Sequence, residues 1–368
     1  MLKKIGCLFA GAMLISSYSF AAESTGSVIK KITPTSYIDG RPAAGYELYA
    51  KDDGVVYRHG NAPFGYDKLG ARDVAIYAAD GTYYMTYDGA GPKGWLVNMA
   101  TSKDLKHWDY IGPMLDLGCK GSIDSASASF GTLLHAEGKW HMYYLATQNA
   151  SALPNFVPYP AYVPAKAIAI RPTGPWIKQY DKQPFSVKAS SYYDLTAAPG
   201  PVYHDPHGGY YMFFSSSNWG VKRTIGLART KSIDSPWQVS DTPVFPIEEN
   251  IENASVYYQK SDKTWFMFVN HVGLDKDKRE YTDAAWVYWT KDFNHWDPKN
   301  KAVVLDSSNV KWSPKIIGIP SVVKVGHRLA IVYDGQARDP VEITDGNKEH
   351  MHRDIGLAWL QLPIVTPK

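Results

Sequence analysis

The sequence predicts an all-β protein: a five-bladed β-propeller with four antiparallel strands per blade and an N-terminal segment that closes or covers the last blade. Three observations predict it. First, one block recurs along the chain, its register pinned by Trp108, Trp176, Trp237 and Trp296, which stand 68, 61 and 59 residues apart. Second, each copy reads strand, turn, strand, polar loop, strand, turn with Trp, strand, which is the pattern of a propeller blade. A fifth copy, "RLAIVYDGQ…HRDIGLAWLQLP", stops short of its last strand. Third, aromatic residues reach 14%, with 26 Tyr and 12 Trp, which suits strands and offers flat rings to sugars.

The elements follow in order. Lys3-Lys4 precede the apolar run "IGCLFAGAMLISSYSF", and Ser19-Phe20-Ala21 supplies a small-x-small cleavage site. Residues 1–22 therefore read as a signal peptide, and the protein as exported to the periplasm or the medium. The mature chain keeps 37 basic residues against 36 acidic ones, so no net field argues for nucleic acid or an anionic membrane. It also keeps one cysteine, Cys119, which excludes an internal disulfide. Residues 23–70 contain "GYELYAKDDGVVYRH" but no blade, and are expected to supply the outer strand missing from the last blade or to cover the seam. Residues 71–368 form the propeller. Its first hairpin turns at Asp80-Gly81, a strong two-residue turn signal.

In a propeller, the starts of the innermost strands and the loops between the second and third strands meet at one mouth. The five openings are "ARDVAIY", "SIDSASASFGTLL", "TAAPGPVY", "IENASVYY" and "GIPSVVKV". Three carry an acid: Asp73, Asp124 and Glu252. An acid at the start of an apolar strand must be paired, solvated or functional. Paired with Arg72, Arg223 or Arg353, these acids would only pin blades together. As a cluster they suit glycoside hydrolysis, in which one carboxylate activates water or attacks carbon and one carboxylic acid protonates the leaving oxygen.

The five blades, the "RD" opening blade one and the "IEN" opening blade four resemble glycoside hydrolase family 43 and its relatives, families 32, 68, 117 and 130. The resemblance implies Asp73 as general base and Glu252 as general acid. It also implies a third acid that tunes the general acid. Family 43 usually opens blade three with it, whereas here blade three opens "AAPGP" and Asp124 opens blade two. The resemblance requires no cofactor and allows a structural calcium in the central channel.

The loops add candidate substrate contacts: Arg72 and Trp95 on blade one, Gln148 and Asn149 on blade two, Trp219 and Arg223 on blade three, His271 on blade four, and His352 and Arg353 on blade five. The long second loop, with Phe156, Tyr159 and Tyr162, is stiffened by prolines and is expected to wall the pocket and favour attack at chain ends. His107 and His295 sit in a repeated outer turn and read as structural. The partner is an oligosaccharide or polysaccharide, with no nucleic acid and no membrane; the oligomeric state is not legible. Two other readings stay open. One is a non-catalytic sugar-binding propeller, against which the pair Asp73 and Glu252 argues. The other is a phosphorylase, which needs basic residues such as His350, His352 and Arg353 beside the acid.

Overall fold

The computed structural model describes residues 26–34, 36–152, 155–205, 208–219, 222–274, 280–337 and 350–367. The expected signal segment lies outside them. The protein is all-β: the helical elements among the described residues are three short 3-10 turns. No helix among them is long and apolar enough to cross a membrane.

The strands run in order as antiparallel meanders. Two short strands, β1 (Lys30–Lys31) and β2 (Tyr46–Glu47), and a longer one, β3 (Lys51–Tyr57), come first. The first meander is β4 (Gly70–Ala79), β5 (Thr82–Gly91), β6 (Gly94–Ser102) and β7 (Asp109–Pro113). The second is β8 (Ser127–Ala136), β9 (Lys139–Thr147), β10 (Val163–Ala169) and β11 (Ile177–Lys178). In the third, β12 (Thr196–Ala198) and β13 (Val202–His204) share β14 (Tyr210–Ser217), followed by β15 (Arg223–Thr230) and β16 (Gln238–Val239). The fourth is β17 (Ile251–Gln259), β18 (Thr264–Leu274), β19 (Glu280–Thr290) and β20 (Lys301–Leu305). The last is β21 (Ser321–Val325), β22 (Arg328–Gly335) and β23 (Asp354–Gln361). Its fourth strand comes from the other end of the chain, because β3 pairs antiparallel with β23.

By hydrogen bonding these meanders form four sheets. A two-residue parallel pairing, Trp95 with Ser127 and Leu96 with Ala128, joins the first two meanders into one eight-stranded sheet. The sheet of the fourth meander is widened by β2, parallel to β20, and by β1 beyond it.

Local chemistry explains the hairpins. Asp80 (φ 50°) and Gly81 (φ 67°) are both left-handed, as the twist-matching turn between β4 and β5 requires. In the outer turns, Asp104 accepts the backbone N–H groups of Lys106 and His107, and Asp292 that of Asn294. The next Trp then donates its indole N–H back into the turn, Trp108 to Leu105 and Trp296 to Phe293. In these two turns the Trp is thus an anchor, whereas the buried Trp176 indole N–H makes no hydrogen bond among the described residues.

The core is divided among the gaps between meanders. Leu96 and Met99 pack on Trp140 and Met142; Leu134 and Tyr143 on Val202 and Met212; Phe213 and Leu227 on Met267 and Trp286; Phe266 and Val287 on Leu329 and Ile331. A further cluster packs Val332 and Leu357 of the last meander on Val74 and Met85 of the first.

Candidate active site

Three of the first strands in their meanders share one irregularity. The pairing slips between Arg72 and Ala75 in β4, between Ser129 and Thr132 in β8, and between Glu252 and Ser255 in β17. Each slip holds a left-handed residue: Asp73 (φ 52°), Phe130 (φ 43°) and Asn253 (φ 61°). These are equivalent β-bulges, a device that re-aims side chains. They also correct the register expected from sequence. Asp73 corresponds to Asn253, and Glu252 corresponds to Arg72, so the two acids occupy neighbouring rather than identical positions of the repeat.

A left-handed non-glycine residue is strained and persists only where its surroundings hold it. Here each bulge N–H donates to a side chain at the end of the second strand of the preceding meander. Asp73 donates to Asp334 (3.2 Å), Phe130 to Asp88, and Asn253 to the Ser215 hydroxyl (2.8 Å). Asp334 also accepts the Ile319 N–H (3.0 Å). The Asp73 backbone is therefore fixed by the last meander and the Asn253 backbone by the third.

The bulges open onto a cavity of about 330 Å³ whose lining includes Arg72, Asp73, Asp88, Trp95, Arg223, Glu252, His350 and Arg353. Glu252 accepts a hydrogen bond from the Asn270 amide (3.1 Å) and pairs with the Arg223 Nε (3.0 Å). The Asn253 amide donates to the Asn270 carbonyl oxygen (2.9 Å), which turns the Asn270 NH2 toward Glu252. Asp73 pairs with Arg72 (3.0 Å) and lies against Asp88. Burial first, then the Asp73 charge, pushes the Asp88 carboxyl well above the usual carboxylate range. The shift favours the neutral form of Asp88, in which its carboxyl can donate to Asp73.

A basic group faces these acids. Arg353 pairs with the buried Asp334 (2.7 Å). Arg72 donates to Nδ1 of His350 (2.7 Å). Burial, then the charges of Arg72, Arg353 and Arg223, holds His350 well below the usual imidazole range. His350 is thus neutral, with Nδ1 as acceptor and Nε2 carrying the proton.

The long loop after β9 covers one side. Val157, Pro158, Tyr159, Pro160 and Tyr162 line the cavity. The loop is tied down by the Trp95 indole to the Asn155 carbonyl (2.9 Å), by Thr147 to Tyr159 (3.0 Å) and by the Asn149 amide to Pro160 (2.9 Å).

Of the sequence candidates, the cavity brings together Asp73, Glu252, Arg72, Trp95, Arg223 and Arg353. The others stand elsewhere. Asp124 precedes β8, fully buried, with its carboxylate taken by Lys178, Tyr144, Tyr180 and Ser122; it is a structural ion pair, not a mouth residue. Gln148 donates to the carbonyls of Gly121 and Ser122, and Asn149 braces the loop from behind. Trp219 is 75% exposed and outside the lining. His271 is fully buried, stacked 3.5 Å from Trp286 and bonded to Arg41 (3.2 Å). His352 is outside the cavity lining, edge-on to His59, while Asp354 pairs with His59 and Arg58.

No strand opening or loop pattern in the sequence singles out Asp334, Ser215 or Asp88, whose side chains hold the three bulges. A signal existed: Tyr-Asp-Gly recurs at 87–89 and 333–335. Among the described residues no three His, Cys, Asp or Glu side chains gather around one point, and the histidine in the cavity, His350, faces three guanidinium charges.

No family model matches the chain, and no curated protein sequence matches it. Solved structures do. One described as a glycoside hydrolase superposes with a TM-score of 0.64 at 17% identity, over 87% of this chain and 96% of its own. An α-L-arabinofuranosidase from Lactobacillus brevis gives 0.55 at 15% identity, over 81% and 95%. A family 43 β-1,3-galactosidase with galactodeoxynojirimycin gives 0.56 at 13% identity, over 86% and 98%. At these identities the likeness establishes a shared fold, and the fold this chain shares is that of glycoside hydrolases of the arabinofuranosidase and galactosidase type.

Proposed function

We propose that the chain is an exported glycoside hydrolase, its five meanders the blades of a closed β-propeller, cleaving plant or algal oligosaccharides from chain ends with inversion. The observation that carries this reading is one cavity in which a carboxylate from the first meander and one from the fourth meet under a loop wall. The fold shared with glycoside hydrolases supports it, and the basic, apolar start of the chain supports export.

Each residue then has a task. Asp73, held by Arg72 and by the proton on Asp88, accepts a proton from water as the water attacks the anomeric carbon. Glu252, held by Asn270, gives its proton to the departing glycosidic oxygen. Asp334 fixes the Asp73 backbone from behind. The wall from Val157 to Tyr162 closes one side and leaves room for a chain terminus.

The test is a screen of arabino-, xylo- and galacto-oligosaccharides with the wild type, Asp73→Asn and Glu252→Gln. Each variant is expected to lose at least ~100-fold in turnover, the scale of a lost acid or base. Near-wild-type turnover in either removes that residue from the mechanism.

A further inference from the structure

On the reading proposed above, Glu252 gives a proton to the departing oxygen and is left with a negative charge. The sequence resemblance expects a third acid to tune it. Its partners among the described residues are instead Arg223 and the Asn270 amide.

Asn270 is the last link of a chain that starts in the third meander. The buried Ser215 hydroxyl donates to Oδ1 of Asn253 (3.0 Å). The Asn253 Nδ2 donates to Oδ1 of Asn270 (2.9 Å), and the Asn270 Nδ2 donates to Oε1 of Glu252 (3.1 Å). Cross-strand pairing of Glu252 with Asn270 sets the last step, and the left-handed bulge at Asn253 sets the one before it.

A chain of amides can run either way, because every amide offers a donor and an acceptor. Here the far end decides. Ser215 Oγ also accepts the Asn253 backbone N–H (2.8 Å), so one hydroxyl grips the bulge and its side chain together, and its own proton goes to Oδ1. With that oxygen occupied, Asn253 turns its NH2 to Asn270, and Asn270 turns its NH2 to Glu252. A reversed chain would present the Asn270 carbonyl, which accepts from a carboxylic acid and repels a carboxylate.

We propose that Ser215 and Asn253 are positioning residues for the proton transfer: acting through Asn270, they hold a donor on Glu252 where charge develops as its proton leaves. A donor set in place beforehand favours the ionised carboxyl and acts most strongly in the transition state. It speeds release of the proton without tightening substrate binding. The effect on turnover rests on the hydrolase reading; the direction of the chain does not.

The test therefore reads Glu252 directly, by NMR of the full chain carrying 13C at its glutamate side-chain carboxyls. The Glu252 signal is assigned by its loss in Glu252→Gln. Asn253→Gly keeps a left-handed backbone and removes the amide; Asn253→Asp keeps the shape and offers no donor. Both free Asn270 to turn its carbonyl to Glu252, so the Glu252 signal is expected to titrate at higher pH than in wild type. In both, kcat is expected to fall at least ~10-fold, the scale of a hydrogen bond to a charged group. KM is expected to change little, and the alkaline limb of the kcat profile to move up. Ser215→Ala is expected to act as Asn253→Gly does, and Ser215→Thr, which keeps the hydroxyl, to recover part of the loss. Asn253→Asp adds a charge, so Asn253→Gly decides; Tm shows which variants fold, and Ser215→Ala decides where Asn253→Gly does not fold. A Glu252 titration identical to wild type in the deciding variant overturns the chain, and cleavage of a screened glycoside then leaves the hydrolase reading standing. A shifted titration in a protein that cleaves none of them upholds the chain and overturns the hydrolase reading.

Discussion

Asp88 accepts the Phe130 N–H on one side and, in its neutral form, can donate to Asp73 on the other. An asparagine can do both, because its carbonyl accepts and its NH2 donates. Asp88→Asn is therefore expected to stay within ~10-fold of wild-type kcat. Asp88→Ala leaves a buried N–H unmet, at a cost of about 1–3 kcal/mol, and frees Asp73; it is expected to lose both stability and rate. Urea melts and kcat for the two variants check this, and equal damage in both contradicts that donation.

His271 gives a second prediction at this scale. Burial, with the Arg41 charge against it, lowers its pKa to about 4 from an ordinary 6.5. The unfolded chain then binds a proton between those values that the folded chain refuses, so stability is present above pH 6.5 and is lost as pH falls toward 4. The loss from this residue is about 3 kcal/mol. Tm measured from pH 7 to 4 is expected to fall less steeply in His271→Gln than in wild type; identical slopes contradict a neutral, buried His271. Asp124 shows why sequence misplaces single residues. "SIDSAS" looks like a strand start, yet β8 begins at Ser127. The partner that neutralises Asp124, Lys178, lies in another strand far along the chain.

At the scale of elements, the meanders were legible because their outer turns repeat a Trp, preceded in the first and fourth by an Asp that accepts backbone N–H groups. The bulge register was not. Sequence aligns "RD" with "EN" by acid, whereas the structure aligns Asp73 with Asn253 because those residues take the left-handed turn. The support behind Asp73 is tight. A methyl group on Gly318 would come within 2.3 Å of the Asp334 carboxylate. Gly318→Ala is thus expected to displace Asp334, loosen the Asp73 backbone and lower kcat with little change in KM; a variant with wild-type kcat contradicts that support. The loop wall behaves differently. Tyr159 lines the cavity while half exposed, so Tyr159→Ala is expected to raise KM roughly 2- to 12-fold, the worth of an aromatic contact, with Tm unchanged. An unchanged KM shows that substrate does not touch this wall.

Across the whole molecule, the last meander depends on the N-terminal segment. β3 covers the edge of β23, and Ile29, Leu48 and Tyr57 are buried from the same segment. Burying each such side chain is worth about 1.5–3 kcal/mol, so together they approach the entire stability of an ordinary domain. The sequence marked this segment as bladeless, but not which of its strands pairs or that β1 and β2 extend the fourth meander. Those pairings join residues from opposite ends of the chain, where no local pattern records them.

The fold also brings Asp73 of the first meander and Glu252 of the fourth to one cavity, and inversion follows if Asp73 acts through water rather than on carbon. NMR of the first product released from an anomerically pure substrate tests this most directly. The account predicts a sugar with the anomeric configuration opposite to that of the bond cleaved; an initial product that keeps the substrate's configuration contradicts it.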